Sequence, residues 1–161
     1  LLVTPYNPPE ILIGKLIPAM IVGVLEALLI VVLGRLLFEV PFRGSFLLLL
    51  AAIVLFSFSA VGFGLFISTL ARTQQQAILG SFMFMVPAIS LSGFAAPVEN
   101  MPQWLQWAVE LNPMKHGLII FKGLFLKDLP FHEVMANAWP LALIGAASLF
   151  FSGWMFRRNL G

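Results

Sequence analysis

Glu99-Asn100-Met101-Pro102-Gln103-Trp104-Leu105-Gln106-Trp107-Ala108-Val109-Glu110-Leu111-Asn112-Pro113, continued by Met114 to Leu126, lies between long apolar runs and decides how they are joined. Asn100 is placed to cap a first short helix, Gln103 three residues on can close a capping box, and Asn112-Pro113 stops the helix. The pattern gives it a polar face of Gln103, Gln106 and Glu110, with Met101, Trp104, Leu105, Ala108 and Leu111 on the other side. Two tryptophans where apolar sequence turns polar are what a membrane–water interface selects. The second piece, Met114 to Leu126, holds Lys115, His116 and Lys122 and is shorter than the roughly 17 to 25 residues a helix needs to cross a bilayer. It either dips in and returns or lies flat.

Outward from this stretch the chain is apolar: of 161 residues 60% are hydrophobic and 10% charged, which excludes a water-soluble globule. The expected fold is all-α and integral to the membrane, with four transmembrane helices and two short interfacial or re-entrant helices on the outer side, within 100–126. The spans are expected at 16–38, 45–70, 77–94 and 138–156, with Pro87 as a kink in the third and Lys127 to Asn137 as a polar connection before the last. Ala60, Gly64 and Ser68, four apart, form a small-residue ridge where another helix can approach. Residues 1–15 are turn-forming, then form a helix opened by Pro8 and Pro9 that is too short to cross. The chain begins with Leu1 and no basic, cleavable leader precedes it, so we expect it to start inside a longer polypeptide.

Four spans place both ends on one side. Arg72, Arg157 and Arg158 on that side, against Arg43 on the other, make the termini cytoplasmic by the positive-inside rule. Counting Lys115, Lys122 and Lys127 in the long outer segment removes the contrast.

Few residues carry chemistry. Glu26, about ten residues into the first span, is at a depth where an ionisable group is costly. It either hydrogen-bonds structurally to a neighbouring helix or carries a proton or substrate. His116 and His132 have no ligand-spaced partners, so no metal is expected. With no cysteine in the chain, thiolate catalysis is excluded. Ser90-Leu91-Ser92-Gly93 has no histidine within an apolar span to serve as base, and Gly14-Lys15 lacks the flanking residues of a phosphate loop. No cofactor, and no nucleic acid, is expected to bind this chain.

Several stretches together resemble the permease subunit of type-2 ATP-binding-cassette exporters, in its C-terminal portion. They are Leu1-Leu2-Val3-Thr4-Pro5 with Glu10-Ile11-Leu12-Ile13-Gly14-Lys15, then Ile67 to Ala77 (ISTLARTQQQA), Leu91-Ser92-Gly93-Phe94, Pro97 to Pro102 and Leu111-Asn112-Pro113. Members of that family have six spans, a cytoplasmic coupling segment between the second and third, and short re-entrant helices outside before the last. The resemblance implies that 1–15 is the end of the coupling segment, with Thr4, Pro5, Asn7 and Glu10 meeting an ATP-binding-cassette ATPase subunit, and that 16–161 is the transmembrane domain. It further implies that ATP and Mg belong to that partner, that a second permease copy or paralogue completes the assembly, and that the site is a plasma membrane, the bacterial inner membrane.

The leading expectation is therefore a non-catalytic permease subunit of an ATP-driven exporter, with Glu26 a candidate for the translocation seam. Glu99, Asn100, Trp104, Trp107, Asn112 and Pro113 are expected in an outer lid, for which a static plug is the alternative. A secondary transporter driven through Glu26, and a membrane assembly protein that transports nothing, are the other readings.

Overall fold

Asn7 opens the first helix, α1 (Pro8–Phe38), with Pro8 and Pro9 in its first turn. The Glu10 carboxylate accepts from the Asn7 backbone N–H at 3.2 Å and from its side-chain amide at 3.3 Å. The computed structural model describes residues 7–160, so Thr4 and Pro5 lie outside the described residues. α1 corrects the expectation of a separate short helix before residue 16, because neither Gly14 nor Pro18 interrupts it. Pro18 lies within α1, and the carbonyl its ring approaches is that of Gly14. α1 ends at Glu39, whose φ of 51° turns the chain out of the helix.

The other helices are α2 (Phe46–Leu70), α3 (Gln74–Ser90), α4 (Gln103–Glu110), α5 (Pro113–Lys122) and α6 (Phe131–Leu160). A 3-10 turn at Val98–Asn100 precedes α4, and a π turn at Gly123–Lys127 follows α5. α1, α2 and α6 are long and apolar enough to cross a membrane. α3, with 17 residues, spans about 25 Å, slightly less than the ~30 Å hydrocarbon layer. It starts earlier than expected because the Thr73 hydroxyl accepts from Gln76 N–H at 3.2 Å, capping Gln74 to Gln76 into the helix. It stops earlier because Ser92 N–H and hydroxyl both turn back to Ile89 O, and Gly93 follows with a φ of 90°. α6 starts seven residues ahead of its expected span, within the stretch read as a polar connection. Pro130 O accepts the first helical N–H groups, those of Glu133 and Val134, and Asn137 bonds back to Glu133 O without breaking the helix.

α2 is the central helix. Its buried residues Leu49, Ala52 and Ile53 join Ile120 and Leu124 beyond α5's first turns and Val134 and Leu141 of α6 in one core. At the loop before α2, Gly44 N–H donates to Leu124 O at 2.9 Å, and a Cβ there would lie 2.7 Å from that oxygen, so only glycine fits. The close seam between α2 and α6 runs along Ser59 and Gly62 against Gly145, where a Cβ would stand 3.1 Å from Ser59 Cα. The expected ridge of Ala60, Gly64 and Ser68 is exposed and is not this seam; Ala60 and Gly64 line a cleft toward α3 and α5. No residue of α1 is buried, so α1 leans on the bundle with most of its surface uncovered.

Candidate functional site

The functional candidates gather at the end of the bundle where α4 and α5 form a hairpin. α4 does not begin as expected. Asn100 lies inside the 3-10 turn, its N–H bonded to Pro97 O at 3.2 Å, and Met101 is extended ahead of Pro102, so the Asn100–Gln103 capping box does not form. Pro102 O instead accepts from Leu105 and Gln106 N–H at 2.9 and 3.1 Å. Gln106 turns inward and donates to Met101 O at 2.8 Å, which removes it from the expected polar face. Glu99 and Gln103 remain exposed, and Val109 is the buried residue of α4. Trp104 and Trp107 are 71% and 72% exposed.

Asn112 performs two tasks. Its Oδ1 accepts from Met114 N–H at 3.0 Å, capping α5 with Pro113 in the first position. Its Nδ2 donates to Ala88 O at 2.7 Å, satisfying a carbonyl in the last turn of α3 that Ser92 N–H bypasses. The hairpin is thereby pinned to α3. His116, not foreseen as part of the site, is 3% exposed. Its Nε2 lies 2.8 Å from Glu110 O and its Nδ1 lies 3.4 Å from Asn137 Oδ1, joining α4, α5 and α6 at one point. Glu110 also pairs with Lys115. The sequence reads Asn112-Pro113 as the stop of the first short helix, not as the cap of the second; bonds across 24 and 21 residues, to Ala88 and Asn137, have no local signal.

Beneath the hairpin, α2, α3, α4 and α6 line an open cavity of about 510 Å³. Its walls carry Phe63, Phe66, Phe84 and Phe151, and Ala108, Leu111 and Asn112 close the hairpin end. Phe63 and Phe84 stack at 4.1 Å and 18° across α2 and α3. No charged residue lines the cavity. Its polar lining is already satisfied, since Ser148 donates to Ile144 O at 2.7 Å and Asn112 is engaged as above. Such a space offers stacking and dispersion and no free donor for an ionic guest.

Glu26 is placed elsewhere. It is exposed on α1 among Val22, Leu25, Leu29 and Ile30, does not line the aromatic cavity, and has no hydrogen-bond or ion-pair partner among the described residues. Asn7 and Glu10 lie at the far end, where the Glu10 carboxylate is engaged in the α1 cap. Among the described residues no three of His, Asp and Glu come together as a metal site would require.

Comparison with known proteins places this geometry in context. The model of the ABC-2 type transporter family matches residues 1–126. Over 160 residues, 99% of this chain and 44% of the relative, the chain is 44% identical to the probable multidrug ABC transporter permease YbhR of Escherichia coli K12. It is 35% identical over 155 residues to YbhS, also named a probable multidrug ABC transporter permease, covering 93% of this chain and 40% of the relative. It is 29% identical over 162 residues to the inner membrane transport permease YhhJ of the same strain, covering 100% and 43%. The chain spans less than half the length of these curated relatives. No solved structure matches it.

Proposed function

The chain belongs to the ABC-2 type transporter family, and from that membership we propose that it is the transmembrane part of an ATP-driven exporter for apolar or aromatic compounds. The observation that supports the substrate class is the cavity of about 510 Å³ with four phenylalanines and no charge in its lining. In this reading α3 completes a fourth crossing, the termini are cytoplasmic, and the membrane is the bacterial inner membrane. A separate ATPase subunit hydrolyses ATP with Mg, contacting Thr4, Pro5, Asn7 and the start of α1. A second permease copy or paralogue covers the surface that α1 leaves open.

The α4–α5 hairpin, with Glu99, Asn100, Trp104, Trp107, Asn112 and Pro113, forms the lid at the outer end of the cavity. Trp104 and Trp107 anchor it at the membrane interface, as exposed indoles do. The Asn112–Ala88 bond makes α3 the element the lid moves with. Glu26 acts structurally in the seam with a neighbouring helix and is no proton carrier, since it lies off the cavity.

The test is transport by the full-length protein purified with its ATPase and reconstituted into vesicles. ATP is expected to drive movement of an uncharged aromatic dye, and Glu26→Gln to retain it, because glutamine keeps hydrogen bonds and removes titration. Movement that follows a proton gradient without ATP, and is lost in Glu26→Gln, would overturn the reading in favour of a secondary transporter.

A further inference from the structure

At the opposite end of the bundle from the hairpin, the start of α1 and the end of α6 leave a groove of about 430 Å³ between them. Its walls include Leu12 and Leu16 of α1 and Leu149, Gly153, Trp154 and Arg157 of α6. From Leu149 to Arg157 it runs about 12 Å along the helix axis at 1.5 Å per residue, apolar at the deep end and basic at the mouth. Gly153 keeps it open, since a Cβ there would lie 3.3 Å from the Leu12 side chain. Trp154 is half exposed at the mouth, and Arg158 lies over its ring, 5.6 Å from the centroid. On the other side of Leu12 a smaller cleft of about 220 Å³ carries Lys15.

The charge at this mouth is uncompensated. Among the described residues Arg157 and Arg158 take part in no ion pair; the three that occur involve Lys115, His116 and His132. The acid in the first turn of α1, Glu10, is engaged with Asn7. A slot that admits a hydrocarbon chain, an indole at its rim and basic side chains around its mouth is complementary to one kind of molecule abundant in a bilayer.

We propose that the α1–α6 groove is a binding site for an anionic phospholipid, with an acyl chain along Leu16, Leu149 and Gly153 and the phosphate at Arg157. The site goes beyond the transport reading, because the lipid is held at the far end from the aromatic cavity and is independent of which compound is moved.

Full-length protein reconstituted in nanodiscs of equal phosphatidylglycerol and phosphatidylethanolamine, then released for native mass spectrometry, tests it. Retained phosphatidylglycerol is expected to exceed phosphatidylethanolamine by about fivefold for each basic residue engaged. Arg157→Ala removes the preference and Arg157→Lys keeps it. Gly153→Leu, which fills the slot and leaves the charges, loses the lipid. Equal retention of both lipids, or a preference unchanged in Arg157→Ala, overturns the proposal. So does a folded wild-type protein that retains no lipid, which would mean that another segment of a longer chain fills the groove. Displacement by glycerol phosphate alone overturns the acyl slot and leaves only a phosphate contact.

Discussion

Asn112 concentrates more of the hairpin's geometry than any other side chain. It is 8% exposed, and its amide satisfies a helix C-terminal carbonyl on one side and a helix N-terminal N–H on the other. Asn112→Ala leaves Ala88 O without that donor and uncaps α5, for a loss of about 2 to 4 kcal/mol from an unsatisfied buried group and a missing cap together. Asn112→Ser keeps an N-cap acceptor for Met114 N–H and removes only the donor to Ala88 O, so its loss is expected to be smaller. Thermal unfolding of the purified full-length variants checks the order wild type, Ser, Ala. Equal stability of Asn112→Ala and wild type would mean that the α3 contact contributes nothing. His116 is the companion case, buried at the meeting of three helices although its neighbours in sequence, Lys115 and Gly117, gave no sign of it.

The helices are held by two different means. α2 and α6 meet through small residues, and the polar hairpin is tied on by side-chain hydrogen bonds. Gly145→Leu drives a side chain into Phe58, whose ring carbons would lie 2.6 and 2.7 Å from the new Cβ, so a loss of about 1 to 3 kcal/mol or more is expected. Gly64→Leu, where nothing lies within 4 Å, is expected to leave the isolated bundle unchanged. Comparing the two by chemical unfolding in detergent separates the close seam from the exposed row; the reverse order would contradict it. α2 was legible almost to the residue, because a run from Ser45 to Leu70 with no charge has only one way to satisfy its backbone in a membrane. The short pair α4 and α5 was legible from Asn112-Pro113. The rest was hidden for physical reasons. Residues 1–15 read as a separate short helix, yet α1 runs through to Phe38 without a break; Asn137 read as loop, yet its amide bonds within its own helix. The row chosen by spacing, Ala60-Gly64-Ser68, is indistinguishable by pattern from the row at Ser59 and Gly62, and only the partner's Gly145 decides between them.

Taken whole, the molecule is a central helix with three long neighbours and the short α5 arranged unevenly around it: α6 packed tightly, α3 standing off to leave the aromatic cavity, and α1 with no buried residue. The two ends differ in chemistry. One is closed by a hydrogen-bonded hairpin carrying exposed indoles, and the other opens a basic groove. Of the site, the hairpin was readable from its tryptophans and its length, whereas the cavity was not, since Phe63, Phe66, Phe84 and Phe151 come from three separate helices. The central claim is that the hairpin closes this cavity and shifts with the ATP cycle, carrying the end of α3 with it. Spin labels at Gln103 on α4 and His132 at the start of α6, both exposed, report it in the full-length assembly with its ATPase, with labelled copies diluted so that one lies in each assembly. Trapping nucleotide is expected to change their separation by roughly 5 Å or more, the scale of a one-turn displacement. An unchanged distance distribution, in an assembly that hydrolyses ATP and exports, would contradict the lid and leave a static plug.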